Sequence, residues 1–190
     1  MNGNTHLAAS ASATAVERAA RVRMMVFDVD GVLTDGRLYF GPQGEAMKAF
    51  DVRDGHGLVL LRAAGIEVAI LTARRSDIVT ARMHELGIEK VIQGARDKRA
   101  GFEQLLEHAG LGCDQCGYAG DDWPDLPVLE RAGFAATVAD ACDEAKARAH
   151  WISSAPAGRG AVRQIAEFLL RVQGRFDGLL ADHLAAARNG

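Results

Sequence analysis

Cysteine is scarce and odd in number: three thiols, Cys113, Cys116 and Cys142, in 190 residues. That count argues against a disulfide framework and points to a reducing, cytoplasmic setting. A surplus of positive charge is also missing. The formal net charge is −3, so no basic field draws the chain to nucleic acid or to an anionic membrane surface. No apolar run approaches the ~20 residues needed to cross a bilayer. Residues 1–20 lack the charged start and apolar block of a signal peptide and read as a flexible lead or a loosely held helix. Internal repeats and low-complexity linkers are absent too, which leaves one folded domain with extensions. The C-x-x-C of Cys113 and Cys116 has few candidate partners for zinc beyond Cys142 and scattered histidines such as His108. Two thiols in a loop entering a strand is the favoured reading, ahead of a metal or redox role.

What is present alternates. Hydrophobic residues make up 48% and charged residues 25%, as in ordinary soluble domains. Short apolar runs at 23–29, 66–72, 88–94, 115–122, 133–140 and 150–154 read as buried parallel strands. Helical patterns fill 54–65, 76–87, 97–110, 123–133, 142–149 and 160–174, and the tail is helical again to Leu184. Ser76 and Asp97 sit where N-caps belong, and Gly65, Gly87 and Gly110 where helices end. Strand–helix alternation through short connections implies βαβ units and a doubly wound, Rossmann-like α/β sheet covered on both faces. One segment, 36–51, breaks the pattern. It reads as a hairpin around "GPQG", and its Leu38, Tyr39, Phe40, Met47 and Phe50 need cover that a subunit interface would supply.

The first strand runs into "FDVDGVLTDG", so Asp28 and Asp30 stand at its carboxyl end, where ligands of open parallel sheets bind. If the chain stays extended, both carboxylates face one side and repel unless a cation sits between them; Mg²⁺, a hard ion with a preference for oxygen, is the natural candidate. The other strand ends carry matching groups: Thr72 in "ILTARR", Lys98 in "GARDKRAG", and Asp121, Asp122 and Asp125 in "GDDWPD". Such a set suits phosphoryl transfer. Asp28 attacks phosphorus, Asp30 serves as acid and then base, and Thr72 and Lys98 hold phosphate oxygens. Asp28, Asp30 and Asp121 surround Mg²⁺. Competing readings stand beside these. Lys98 would also suit a solvated helix, Asp122 or Asp125 a helix cap, and His56 a lesser candidate base; Trp123 and Trp151 read as packing residues.

The motif DxDGVLTDG at 28–36, Thr72, Lys98 and GDDxxD at 120–125, in order along almost the whole chain after residue 22, resemble the haloacid dehalogenase superfamily. Asp30 implies its phosphatase branch, since dehalogenases lack the second aspartate and ion-pumping ATPases carry threonine there. The resemblance implies a phosphatase domain over 21–175, with a helical tail at 176–190. Stretches 31–71 and 73–97 leave no room for a cap domain, so the substrate is large or neighbouring subunits close the site. "GRLYFGPQGEAMKAFDVRDGHGL" and "GRGAVRQ" (158–164) resemble the phosphatases of 3-deoxy-D-manno-octulosonate 8-phosphate, a lipopolysaccharide-synthesis family. That implies a homotetramer with central hairpins and a small phosphorylated sugar-acid substrate. It also implies substrate contacts from Asp51, Val52, Arg53, Asp54, Gly55, Arg74 and Arg82 together with Asp30 and Lys98, while Arg159 reaches toward a neighbour. Leu58 and Val59 stand where some members carry arginine. Arginine suits such a substrate because it grips a carboxylate with two parallel hydrogen bonds. Arg82 is equally suited to an ion pair with Glu85, and Arg159 to a glycine-rich turn. A nine-carbon sialic-type acid phosphate, or a non-catalytic role on the same fold, are the alternatives.

Overall fold

The computed structural model describes residues 12–189. After α1 (Ala13–Ala19) and β1 (Met24–Phe27) the chain forms the hairpin β2 (Tyr39–Gly41) and β3 (Gly44–Met47). Then come α2 (Val52–Ala63), β4 (Glu67–Thr72), α3 (Asp77–Glu85), β5 (Lys90–Gln93) and α4 (Lys98–Ala109). The second half holds β6 (Cys116–Ala119), α5 (Leu126–Leu129), β7 (Phe134–Thr137), α6 (Asp143–Arg148) and β8 (Trp151–Ile152). It ends with α7 (Ala161–Val172) and α8 (Phe176–Asn189).

The six strands outside the hairpin form one sheet in the order β5-β4-β1-β6-β7-β8, and every pairing in it is parallel. The doubly wound α/β class expected from the sequence is therefore the observed one. All four residues of β1, β6 and β7 are buried, which is why those segments read as unbroken apolar runs. The chain leaves β1 toward β4 and β5, then returns to the other side for β6 to β8. The carboxyl end of β1 is thus the switch point of the sheet, where the two sets of connections diverge and leave a crevice.

Helix α2 packs along α7 and against β4, and α1 lies on α7 and β7. Helices α4, α5 and α6 cover the opposite face. Phe168 of α7 stacks between Phe134 and Trp151, at 5.8 and 4.9 Å between ring centroids. Ser76 and Asp97 do cap α3 and α4, each accepting from the backbone N–H of Val79 or Ala100. The single helix expected over 123–133 is broken into a 3₁₀ turn, Trp123–Asp125, and the short α5. Pro124 and Pro127 account for this, since proline is tolerated in a first turn and removes donors further in. Within the lead, α1 is a docked helix with Ala15 and Ala19 buried; residues 1–11 lie outside the described residues.

Helix α7 opens at Gly160, which has no side chain to cap it. Asp54, buried in α2, does this from across the interface. Its two carboxylate oxygens accept from the N–H groups of Gly160 (3.1 Å) and Arg163 (2.8 Å). Burial raises the Asp54 carboxyl above the usual carboxylate range, against these two hydrogen bonds. Asp54→Ala would strand two donors at an apolar helix–helix contact. It should cost about 2 kcal/mol, or roughly 4–8 °C in Tm for a chain of this size. An unchanged melting curve by circular dichroism would rule out this cross-helix cap.

Candidate active site

At the switch point a cleft of about 270 Å³ is lined by Asp28, Asp30, Thr72, Arg74, Lys98 and Asp121 among others. Four strand ends therefore deliver the groups that the sequence placed on one edge. A larger depression, about 810 Å³, lies beside β5 and is lined by Met83, His84, Ile88 and Val91, with Glu89 as its one carboxylate. Paired acidic groups belong to the smaller cleft.

Lys98, the first residue of α4, is 4% exposed. Its Nζ lies 2.7 Å from Asp28 Oδ2 and 2.6 Å from Asp125 Oδ1. Burial works against the ammonium charge, but Asp28 and Asp125 outweigh it and hold its pKa above the ordinary lysine value. The solvated-lysine reading is set aside. Asp125 is saturated: it also accepts from the Tyr118 hydroxyl and from the N–H groups of Asp121 (3.0 Å) and Asp122 (3.2 Å). It organises the turn after β6 and fixes Lys98. The capping expected of it is realised on this turn.

Asp28 is 5% exposed, and its Oδ1 is buried without a hydrogen-bond partner. Burial, opposed by Lys98, leaves its pKa raised to about 6. Asp121 is pushed up to about 8, first by burial and then by Asp125 and Asp28. Gly31 makes this crowding feasible. Its φ of +87° turns the chain out of the strand, and a Cβ there would sit 2.1 Å from Asp121 Oδ2. Oxygens of Asp28, Asp121 and Asp125 lie within 4.8 Å of one another. An orphaned carboxylate oxygen beside a second carboxylate, both driven toward protonation, is the donor set a hard divalent cation would satisfy.

Asp30 departs from the expected ligand set. The chain bends at Val29, between the two aspartates, and the Asp30 carboxylate is engaged by Lys48 of the hairpin segment. There Oδ1 accepts from Lys48 Nζ, and Oδ2 lies 3.7 Å from Arg74 Nε. Asp28 and Asp121 share the carboxylate group with Asp125; the Asp30 side chain is outside it. Lys48 and Glu45 were missed in the sequence because a charged residue in a hairpin reads as solvated surface.

The other predicted residues fall into separate places. Thr72 is buried at the end of β4, in the cleft wall. Asp51 caps α2 and pairs with Arg53 at 2.6 Å, and Arg53 also donates to the Arg159 carbonyl at 3.0 Å. Val52 is 77% exposed next to them, and Gly55 is buried against Arg82. These residues lie at the joined ends of α2 and α7, outside the cleft lining. Arg82 is ion-paired with Glu85 at 2.7 Å. Leu58 is fully buried in the core, so it is a packing position, while Val59 is half-exposed. His56 faces Arg163 and His183 in a small hollow away from Asp28. Trp151 packs as expected, but Trp123 does not: it is 65% exposed beside the cleft residues Asp122 and Pro124. Cys113 lies in a 3₁₀ turn and Cys116 opens β6, where burial pushes its thiol up.

A family model described as haloacid dehalogenase-like hydrolase matches residues 76–165. The 3-deoxy-D-manno-octulosonate 8-phosphate phosphatase of Escherichia coli (strain K12) is 42% identical over 166 residues, 87% of this chain and 88% of that protein. The crystal structure of the Yersinia pestis protein of the same name matches with a TM-score of 0.85 and 40% identity, covering 87% of this chain and 90% of that one. The Moraxella catarrhalis phosphatase, solved with magnesium ion, phosphate ion and a KDO molecule, matches with a TM-score of 0.86 and 38% identity, covering 88% and 97%.

The raised carboxyls predict how cation binding depends on pH. Their folded pKa values exceed the unfolded ones, so their contribution to stability is present at low pH and is lost as pH rises through about 6 and then about 8. A divalent cation replaces the displaced protons. The rise in Tm on adding Mg²⁺ in place of EDTA should be larger at about pH 8.5 than at about pH 5.5. In Asp121→Asn the increment should shrink at both. An increment independent of pH would contradict this picture.

Proposed function

Because the chain belongs to the haloacid dehalogenase-like hydrolases, among the 3-deoxy-D-manno-octulosonate 8-phosphate phosphatases, we propose that this cleft hydrolyses that sugar-acid phosphate to the free sugar acid and phosphate, in lipopolysaccharide biosynthesis. The observation that carries the reading is the buried Asp28 with one oxygen on Lys98 and the other unengaged.

In this reading one carboxylate oxygen of Asp28 attacks phosphorus. The P–O bond to the sugar breaks as Asp30 gives a proton to the departing alkoxide. Asp30 then takes a proton from water as that water attacks the phosphoaspartyl group, releasing phosphate and restoring Asp28. Lys98 and Thr72 hold the phosphoryl oxygens, and Asp125 keeps Lys98 in place. Asp28 and Asp121 would hold Mg²⁺, which when bound would supply the charge neutralisation that lets a carboxylate approach a phosphate. The Asp30 side chain, drawn to Lys48 and Arg74, is reserved for the proton.

Arg74 is the arginine in the cleft wall, and in this reading it takes the sugar carboxylate. Asp51 to Gly55 and Arg159 form a rim beyond it, and Arg82 would have to leave Glu85 to join them. Support for a homotetramer comes from the hairpin, whose Leu38, Tyr39, Phe40 and Met47 are all exposed, Phe40 by 66% and Met47 by 55%. An apolar patch of this kind marks an interaction surface. A neighbour seated there would lid an otherwise open site. A small soluble substrate fits residence in the cytoplasm, and the acidic net charge gives no purchase for nucleic acid. Among the described residues no helix is long and apolar enough to cross a membrane.

Side-by-side turnover of the eight-carbon and nine-carbon sugar-acid phosphates tests the substrate. The eight-carbon ester should be preferred by at least about tenfold in kcat/KM, and Asp28→Asn should lose both activities while keeping its fold. Preference for the nine-carbon ester refutes the assignment, and background release from every sugar phosphate tried would leave only a non-catalytic role. For assembly, light scattering on Phe40→Asp should show species smaller than the wild type, because the charge would have to be buried in the interface. An unchanged particle size removes the hairpin from the interface.

A further inference from the structure

The hairpin is more than a platform for neighbours. Its outward face is apolar, but two charged side chains turn inward. Lys48 is 8% exposed and its side chain 1%. Its Nζ donates to Asp30 Oδ1 and lies 3.1 Å from Glu45 Oε1. Glu45 in turn accepts from the Ser76 hydroxyl and lies 3.9 Å from Arg74 Nη2. Ser76 is the N-cap of α3, and its backbone N–H donates to Gln93 Oε1 at 2.7 Å. A continuous polar chain therefore runs from the turn after β1, through the hairpin, to α3 and β5. A lysine desolvated to this degree is tolerable only beside carboxylates, and removing one member leaves the others buried and unpaired. The bond to Asp30 is thus a constraint on both partners. It engages one carboxylate oxygen from the hairpin side and leaves Oδ2, which Arg74 approaches from the cleft wall.

We propose that Lys48 is a positioning residue for the proton transfers. By holding Asp30 Oδ1, it fixes the carboxylate so that Oδ2 delivers the proton to the departing sugar alkoxide and takes one back from the attacking water. Glu45 and Ser76 keep Lys48 in register, so the hairpin that seats a neighbouring chain also sets the aim of the acid. The inference rests on the phosphatase reading, which gives Asp30 its acid–base role.

The test compares esters that need the proton with one that does not. Lys48→Met and Lys48→Arg are assayed with saturating Mg²⁺ on the sugar-acid phosphate and on 4-nitrophenyl phosphate, whose phenolate leaves unaided. Lys48→Met should lower kcat/KM on the sugar ester by about 10–100-fold, part of the 10²–10⁴ that general acid catalysis supplies. On the nitrophenyl ester the loss should stay below about threefold, and Lys48→Arg should recover most of the difference. Equal losses on both esters would make the role structural. A loss on the sugar ester confined to KM would make Lys48 a substrate contact. An arginine variant no better than methionine would remove the hydrogen bond from the account; any of these overturns the proposal. Should Lys48→Met fail to fold, Glu45→Gln, which retains Lys48 but loosens it, must show a smaller loss with the same ester dependence, and no ester dependence overturns the proposal equally. If the wild-type chain leaves the sugar ester intact yet cleaves nitrophenyl phosphate in an Asp28-dependent manner, the substrate reading alone has failed. Glycerol phosphate then replaces the sugar ester as the alkyl arm.

Discussion

The buried triangle of Lys98, Asp28 and Asp125 is the constraint on which the rest turns. Three ionised groups out of water are costly unless each is paired and hydrogen-bonded. Here Lys98 divides its donors between two carboxylates, and Asp125 spends its remaining capacity on Tyr118 and two backbone N–H groups. The arrangement ties two strand ends, those of β1 and β6, to the start of α4. It also leaves Asp28 half-satisfied. That residual demand is what a cation and a phosphoryl group can meet, so the site is preorganised for charge and needs little rearrangement when charge arrives.

A second layer of order comes from carboxylates acting across elements. Asp54 of α2 caps the start of α7 from another helix, while Asp125 accepts from two N–H groups of its own turn and holds Lys98 across to α4. Helix α7, which opens at a glycine, borrows its cap from elsewhere in the chain, whereas the turn after β6 is held by its own last residue. These hydrogen bonds fix two segments: the α2–α7 junction, which carries Asp51, Arg53 and Arg159, and the turn after β6, which carries Asp121. Stability and geometry are thus supplied by the same hydrogen bonds.

The sheet, its order of elements and the four strand-end groups were legible in the sequence because they follow from local rules. A buried parallel strand must be apolar throughout, as β1, β6 and β7 are, and a polar residue closing it stands out. Thr72 and Lys98 were found that way. What escaped depends on where the chain turns and on what arrives from afar. Asp30 was expected beside Asp28 on extended backbone, but the chain bends at Val29 between them. Lys48 and Glu45 look like surface charge until the hairpin folds over the cleft. Arg82 had two partners of equal merit in the sequence, and in this structure it takes the nearer, Glu85. Trp123 was assigned to packing from its residue type alone; nothing local marks it as exposed.

The groups lining the cleft, Asp28, Asp30, Thr72, Lys98 and Asp121, are of the kind that engage a phosphoryl group. On the proposed reading, the α2–α7 junction would meet the part of the sugar that lies beyond this cleft. On that reading, bond cleavage and molecular discrimination are housed in different parts of the fold, strand ends for one and a helix–helix junction for the other. A lineage carrying this scaffold can acquire a new preference by redecorating its threshold, with the hydrolytic apparatus inherited intact.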